Sequence, residues 1–322
     1  MTNRTASVNG APQPQFAFFR GEVVPLEDAR VSVMTHALHY GTAVFEGIRG
    51  NWNSEHETTY IFRLREHYER LHLGCRMLML DIPYSVDDLC NITVELVQKN
   101  ANRSDVYIRP LAYKSEELVA NLKLHEIASD FTLVVVPFGN YLGTENLRCC
   151  TSSWRRMEDQ VHPTQIKTSA NYLNSILAKT EAVLGGFDEA ILLNQDGHVS
   201  EGSGENIFMM RKGQLITPIL EDNPLPGITR ETVMELAREE LGIEVVERRI
   251  DRSELYLADE IFLSGTAAHL TPVISLDSRN IADGNPGPVS TQLKQMYFDI
   301  VFGRNPKYLH WCTAAVPNLV AA

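Results

Sequence analysis

Residues 164–206 read TQIKTSANYLNSILAKTEAVLGGFDEAILLNQDGHVSEGSGEN, and the organisation of the chain turns on them. Asn171 is placed to cap a helix whose apolar residues Tyr172, Leu173, Ile176, Leu177, Val183 and Leu184 return at helical spacing, and Gly185-Gly186 stops it. Lys167 stands just before that helix start. A helix N-terminus and an apolar surround both disfavour an ammonium ion, which biases the amine towards the neutral, nucleophilic form that a Schiff-base lysine needs. Most lysines are solvated surface residues, so Lys167 gains meaning from the strands and the acidic motif on its C-terminal side. Asp188 to Asn194 reads as a short apolar strand, Asp196-Gly197 as a hairpin turn, and Val199 to Met210 as a second strand. Within that strand lies Ser200-Glu201-Gly202-Ser203-Gly204-Glu205-Asn206, where glycines on both sides suggest backbone passing close to a ligand. A carboxylate there can hold a proton on a heteroaromatic nitrogen.

Towards the N-terminus, Phe16 to Val24 and Ala29 to Met34 are expected as strands parted by a Pro25 to Asp28 turn, and Val44 to Arg49 as another. Tyr40, Phe45 and Arg49 then point into or beside a cleft. Phe62 to Met79 is helical, with Leu64, Tyr68, Leu71, Cys75 and Leu78 alternating by three and four. Arg63 stands at its start, where a guanidinium can grip a phosphate with two donors, although Arg65 is close by. A second helix runs from Ser85, its expected cap, to Lys99. In the strand Tyr107 to Leu111, Tyr107 and Arg109 share one side, since residues two apart do so, and a phenol beside a guanidinium suits a carboxylate. Phe131 to Val136 is a buried strand, and the turn chemistry of residues 137–143 marks a linker. The expected division is a flexible leader at 1–15, a small α/β domain at 16–138, a linker at 139–146, and a large domain at 147–322 that ends in a peripheral tail from Gly303.

Beyond the central stretch, Leu225-Pro226-Gly227 leads into a helix with Val233, Leu236, Ala237 and Leu241 on its apolar side. The positive end of that helix is an anion site in which Ile228 and Thr229 supply amides and a hydroxyl. Ser264 to Ala268 is a turn of small residues that lets backbone amides approach a second anion.

Composition sets the class. At 322 residues the chain is long enough for two modest domains around one cleft. Its 29 basic and 41 acidic residues, a net charge of −12 without a basic stripe, argue against nucleic acid or an anionic membrane surface as partner. No apolar run approaches membrane length, and the polar leader lacks a signal core, so a cytoplasmic protein is expected. The five cysteines, Cys75, Cys90, Cys149, Cys150 and Cys312, and the ten histidines show no zinc-ligand spacing, and no metal is assigned.

Seven segments occur in order: HALHYGTAVFEGIRG (36–50), IFRLREHYERL (61–71), YIRPL (107–111), IKTSANYLNS (166–175), SEGSGENIF (200–208), LPGITRETV (225–233) and LYLADEIFLSGTAAHLTPV (255–273). Together they resemble the fold type IV pyridoxal-phosphate enzymes, and most closely the branched-chain amino acid aminotransferases, from about Phe18 to about Val301. The resemblance implies a two-domain α+β fold and pyridoxal 5'-phosphate held by Lys167, with Glu201 on the ring nitrogen and Tyr172 on the ring phenolate oxygen. It selects Arg63, Ile228, Thr229 and Thr266 for the phosphate. Tyr107 then meets the substrate α-carboxylate, as do the Thr266 and Ala267 amides, and Arg109 meets the second carboxylate of glutamate. Tyr40, Phe45, Arg49, Phe138 and Tyr141 complete the substrate pocket. A homodimer or higher homo-oligomer, with the active site at a subunit contact, is also implied. The sequence departs from the family's pattern at Thr168-Ser169-Ala170, at His269 and in the unfamiliar segment Glu116 to Asp130. An aminodeoxychorismate lyase or a D-amino acid or (R)-amine aminotransferase of the same fold type remains an alternative.

Overall fold

The structure is a computed structural model that describes residues 16–139 and 144–316. The leader and residues 140–143 of the expected linker, Tyr141 among them, lie outside the described residues. The chain forms two compact units, one built from residues up to 139 together with those from 300 onward, the other from 140–299.

In the first unit, among the described residues, eight strands make one antiparallel sheet. In chain order they are β1 (Phe16–Phe19), β2 (Glu22–Pro25), β3 (Ala43–Phe45), β4 (Ile48–Asn53), β5 (Thr58–Phe62), β6 (Val106–Lys114), β7 (Ser129–Pro137) and a last strand, Cys312–Ala315. Helix α1 (His36–Tyr40) precedes β3, while α2 (Leu64–Met77) and α3 (Val86–Asn100) connect β5 to β6. α2 buries Leu64, Tyr68, Leu71 and Cys75, the stripe expected from spacing, and α3 buries Leu89 and Leu96. Ser85 caps α3 through a capping box with Asp88, whose amide donates to the serine hydroxyl at 3.2 Å.

Three regions of the chain differ from expectation here. The strand expected over Phe16 to Val24 is a hairpin folded at Arg20-Gly21, and Ala29 to Met34 forms no strand. The strand expected over Val44 to Arg49 breaks at Glu46-Gly47, because Glu46 turns inward. Its carboxylate accepts two bonds from Arg70, each 2.8 Å, and one of 2.8 Å from Nδ1 of His67. The third difference is at the C-terminus. The segment expected as a tail on the large domain instead returns to the first unit, where Cys312–Ala315 pairs with β5 in register Cys312 to Phe62. Buried Trp311 and Tyr308 explain why it docks: the apolar area they hide makes a frayed end unfavourable.

In the second unit, nine strands among the described residues form a mixed sheet ordered β10-β9-β8-β15-β14-β11-β12-β13, with β16 beside β15. They are β8 (Leu147–Arg155), β9 (Glu189–Leu193), β10 (Val199–Gly202), β11 (Asn206–Arg211), β12 (Gln214–Thr217), β13 (Val245–Glu247), β14 (Glu260–Gly265), β15 (His269–Leu276) and β16 (Arg279–Asn280). Leu147, Ile191, Val199, Ile207, Ile261 and Val273 belong to its core. Helix α4 (Tyr172–Leu184) starts and stops where expected, but its orientation is not the one that spacing of large apolar residues implies. Ala178 and Ala182 pack on Ala190 and Leu192, while Leu173, Ile176, Val183 and Leu184 are exposed. Two alanines let the helix approach the sheet closely, which larger side chains would prevent. Nor does Asn171 cap it: the asparagine amide donates to Pro163 O at 3.4 Å. α5 (Ile228–Glu239) begins directly after Gly227.

The Glu46 cluster carries a stability prediction. Burial alone would raise this carboxyl, but the charge and hydrogen bonds of Arg70 and the bond from His67 outweigh it and hold it at about 2. A carboxyl lowered by folding contributes stability above its unfolded value, and that contribution disappears as pH falls through the folded one. Glu46→Gln is expected to cost about 3 kcal/mol at neutral pH by removing the buried charge that Arg70 and His67 bond. The difference from wild type should shrink between about pH 4.5 and about pH 2, as urea unfolding at several pH values would show.

Candidate active site

Lys167 sits in the irregular loop between β8 and α4, half-buried, with its Nζ donating to the hydroxyl of Tyr172 at 2.5 Å. The loop is fixed by its neighbours rather than by regular structure. Thr168 shares a 2.7 Å bond with Nε2 of His162, and the Thr164 amide donates to Asp159 at 3.3 Å. Tyr172 opens α4, so helix geometry orients its phenol towards the lysine five positions earlier.

Glu201 lies in β10 and is buried. Its carboxylate forms a 2.9 Å ion pair with Arg156 and accepts a 2.9 Å bond from the Leu225 amide and a 3.4 Å bond from Asn206. All three partners are donors, so the carboxylate oxygens are held from several sides. Arg156 is itself buried and donates from Nε to Asn223 O at 3.2 Å. Asn206 also donates to Leu225 O at 2.8 Å. These bonds join the end of β8, the acidic motif and the start of α5 into one network. Arg156 and Asn206 belong to this network, and sequence reasoning missed both. Arg156 follows Arg155 with no motif to separate them, whereas Asn206 carries a signal as the last residue of SEGSGEN.

The strand expected over Val199 to Met210 is broken at Ser203 to Glu205, which lets β10 and β11 take different partners. α5 starts at buried Ile228 and Thr229, whose amides have no acceptor within the helix. Gly227 is required there for space, since a Cβ would fall 2.0 Å from Oδ1 of Asn206. Thr266 and Ala267 occupy the three-residue turn between β14 and β15, which closes with His269 in a left-handed conformation at φ 55°. This unit therefore offers an amine beside a phenol, a buried carboxylate held by an arginine, and a buried helix start with a threonine hydroxyl. That donor set complements a flat ring bearing a carbonyl, a phenolate oxygen, a basic nitrogen and a phosphate.

In the first unit, Phe45, Arg49, Tyr107, Arg109 and Phe138 come together. Arg109 donates to the Tyr107 hydroxyl at 3.0 Å and lies 4.3 Å over the ring of Phe45. The Tyr107 and Phe138 rings are 4.8 Å apart, and Arg49 lies 5.2 Å over Phe138 while donating to Gly139 O at 3.1 Å. Gly47 makes room for the phenol: a Cβ there would stand 2.0 Å from its oxygen. Arg63 is buried at the end of β5, and its guanidinium covers the Trp311 ring at 4.1 Å. Tyr40 is engaged elsewhere, its hydroxyl accepting from the Ala120 amide at 2.9 Å and its ring 4.5 Å from His36. Segment 116–130, which matched no motif, is what Tyr40 and His36 hold. Among the described residues, no helix is long and apolar enough to cross a membrane.

Two outcomes test this geometry. Gly227→Ala is expected to destabilise the protein by about 1–3 kcal/mol through overpacking against Asn206. In an Asn206→Ala background that cost should largely vanish, and a thermal double-mutant cycle measures it. The second concerns Glu205, which burial first and the charge of Glu189 next raise to about 8 from its usual 4.5. A carboxyl raised by folding stabilises the protein most below its unfolded value and progressively less as pH rises to the folded one. Glu205→Gln should therefore flatten the decline in stability between about pH 5 and about pH 8, read by denaturant unfolding at each pH.

Comparison with known proteins agrees with this donor set. Residues 43–276 match the family model for amino-transferase class IV. The chain is 49% identical over 299 residues to a probable branched-chain-amino-acid aminotransferase of Aquifex aeolicus, covering 92% of this chain and 96% of that protein. The crystal structure of the branched-chain aminotransferase of the archaeon Thermoproteus uzoniensis with norvaline superposes with a TM-score of 0.90 at 44% identity, over 94% of this chain and all, 100%, of that one. The branched-chain amino acid aminotransferase of Thermobaculum terrenum in its PLP form gives 0.89 at 41% identity, over 95% and 99%.

Proposed function

Because this chain belongs to the class IV amino-transferase family, with the two-domain α+β fold type IV and branched-chain aminotransferases as its relatives, we propose that it transfers the amino group of L-leucine, L-isoleucine and L-valine to 2-oxoglutarate, yielding the branched-chain 2-oxo acids and L-glutamate. The observation that carries the reading is the Lys167 amine 2.5 Å from the Tyr172 hydroxyl, in the same unit as the Arg156-bound Glu201.

Pyridoxal 5'-phosphate, when bound, supplies an electrophilic carbonyl and a ring that accepts electrons from the substrate α-carbon. Lys167 would hold the cofactor through its amine and, when released, that Nζ would serve as the base that moves the substrate α-proton. Tyr172 would hold the ring oxygen with its hydroxyl. Glu201 would face the ring nitrogen as a hydrogen-bond acceptor, and Arg156 fixes that carboxylate. Arg63, Thr229, Thr266 and the amides of Ile228 and Thr229 bind the phosphate.

Tyr107 with the Thr266 and Ala267 amides orients the α-carboxylate, Phe45, Phe138 and Tyr141 form the apolar wall with Arg49 bracing Phe138, and Tyr40 reaches the pocket of a neighbouring subunit. Arg109 lets one pocket serve two side chains. With a branched apolar substrate it stays on Phe45 and Tyr107, and with glutamate it pairs with the second carboxylate. We further assign the enzyme to the cytoplasm as a homodimer or higher homo-oligomer with its active site at the subunit contact. Exposed Val33, Leu38 and Leu122, gathered by the His36 to Asn121 bond, suit burial against a second copy.

The test is a half-reaction. Cofactor-loaded protein is mixed separately with L-leucine, L-glutamate, D-alanine, (R)-1-phenylethylamine and aminodeoxychorismate while cofactor absorption is followed. Both L-amino acids are expected to convert the cofactor; a response confined to D-alanine or the amine, or pyruvate release from aminodeoxychorismate, would overturn the assignment. Arg109→Leu should lower kcat/KM for glutamate by about tenfold or more, the value of a charge-assisted bond, and leave leucine nearly unchanged. Equal losses would remove the dual role of Arg109.

A further inference from the structure

Arg63 occupies an unusual position. It ends β5 and precedes α2 with φ 45° and ψ 46°, a left-handed conformation that a side chain with a Cβ adopts only when its surroundings impose it. What imposes it comes from the far end of the sequence. The Arg63 amide donates to Trp311 O at 2.7 Å, continuing the ladder that pairs Phe62 with Cys312. The guanidinium then lies over the Trp311 ring at 4.1 Å. Trp311 is fixed in turn by Tyr308 at 4.4 Å and by the edge of Phe62 at 6.2 Å.

The geometry of a guanidinium gives this stack a consequence. Its five N–H donors all lie in its plane, so an indole on its face occupies none of them. The stack removes rotamer freedom from a long side chain without drawing on its N–H groups. A carboxylate partner would restrain the arginine too, but by taking those donors. Glu66 makes only a long ion pair with Arg63, at 3.7 Å, and is more exposed than the arginine.

We propose that Trp311 is a positioning residue for the cofactor phosphate: it holds the Arg63 guanidinium flat and pre-aimed, so that the C-terminal segment is part of the cofactor-retaining machinery. This rests on the reading of Arg63 as a phosphate ligand. The proposal explains why a segment so distant in sequence closes the sheet beside β5, and why an arginine stands at a strained backbone position where a glycine or asparagine would be easier.

The experiment compares wild type, Trp311→Leu, Trp311→Phe, Arg63→Gln and the Trp311→Leu/Arg63→Gln double variant. The readouts are the rate of cofactor loss from holoenzyme during dialysis, and the affinity on reloading with pyridoxal phosphate or with pyridoxal, which lacks the phosphate. Trp311→Leu is expected to weaken pyridoxal phosphate binding by about tenfold, equal to about 1.4 kcal/mol, and pyridoxal binding hardly at all. Trp311→Phe, which keeps a smaller face and the backbone bond, should recover most of the loss and remains informative if the leucine variant does not fold. In the Arg63→Gln background the tryptophan change should add little. Equal weakening of both ligands, or the same factor with and without Arg63, would make Trp311 merely structural and overturn the proposal. If Arg63→Gln itself fails to separate the two ligands, the phosphate reading of Arg63 falls and the proposal with it.

Discussion

The buried ion pair between Arg156 and Glu201 is the constraint around which the second unit is arranged. Two charges withdrawn from water are tolerated only when their remaining hydrogen-bonding capacity is met, and here it is met by backbone. Glu201 takes the Leu225 amide and Arg156 gives to Asn223 O, so the loop leading to α5 is built to satisfy the pair. Asn206 adds a side-chain tie from the acidic motif to the same loop. The helix start, the carboxylate and the end of β8 are therefore positioned by one set of bonds, and moving any one strains the others.

The first unit uses the same device with different residues. Glu46, buried between Arg70 and His67, interrupts the strand that would otherwise run from Val44 to Arg49 and turns the chain between Phe45 and Gly47. On one side of the break Phe45 receives the Arg109 cation; on the other, Gly47 leaves space for the Tyr107 phenol. A buried charge cluster thus sets up a wall of aromatic rings and guanidinium groups in which each cation already has a face to rest on.

Much of this is legible in the residues. Helical spacing locates α2, α3 and α5 to within a few positions, and strand alternation puts Tyr107 and Arg109 on one side, where they bond. Lys167, Tyr172 and Glu201 stand out in a stretch whose local signals are strong. The departures from expectation share a cause. Spacing reports which residues could form a face but not which face the sheet receives, so the leucines of α4 look like its buried side while the alanines are the ones that pack. Arg156 is invisible in the sequence because burial of an arginine depends on a partner 45 positions away, its carboxylate at Glu201. Trp311 lies in a segment that reads as a tail, since edge pairing to β5 leaves no periodic mark in so short a strand.

The sequence by itself determined the chemistry: a lysine before a helix, an acidic motif spaced by glycines and a helix start behind a Pro-Gly turn are local patterns, and local backbone geometry suffices to produce them. Only the tertiary structure decided how those groups are held. Whether Glu201 is paired, which arginine does it, and what steadies Arg63 depend on contacts between segments far apart in the chain. Those contacts arise from packing, and packing energy belongs to the assembled core rather than to any stretch of residues.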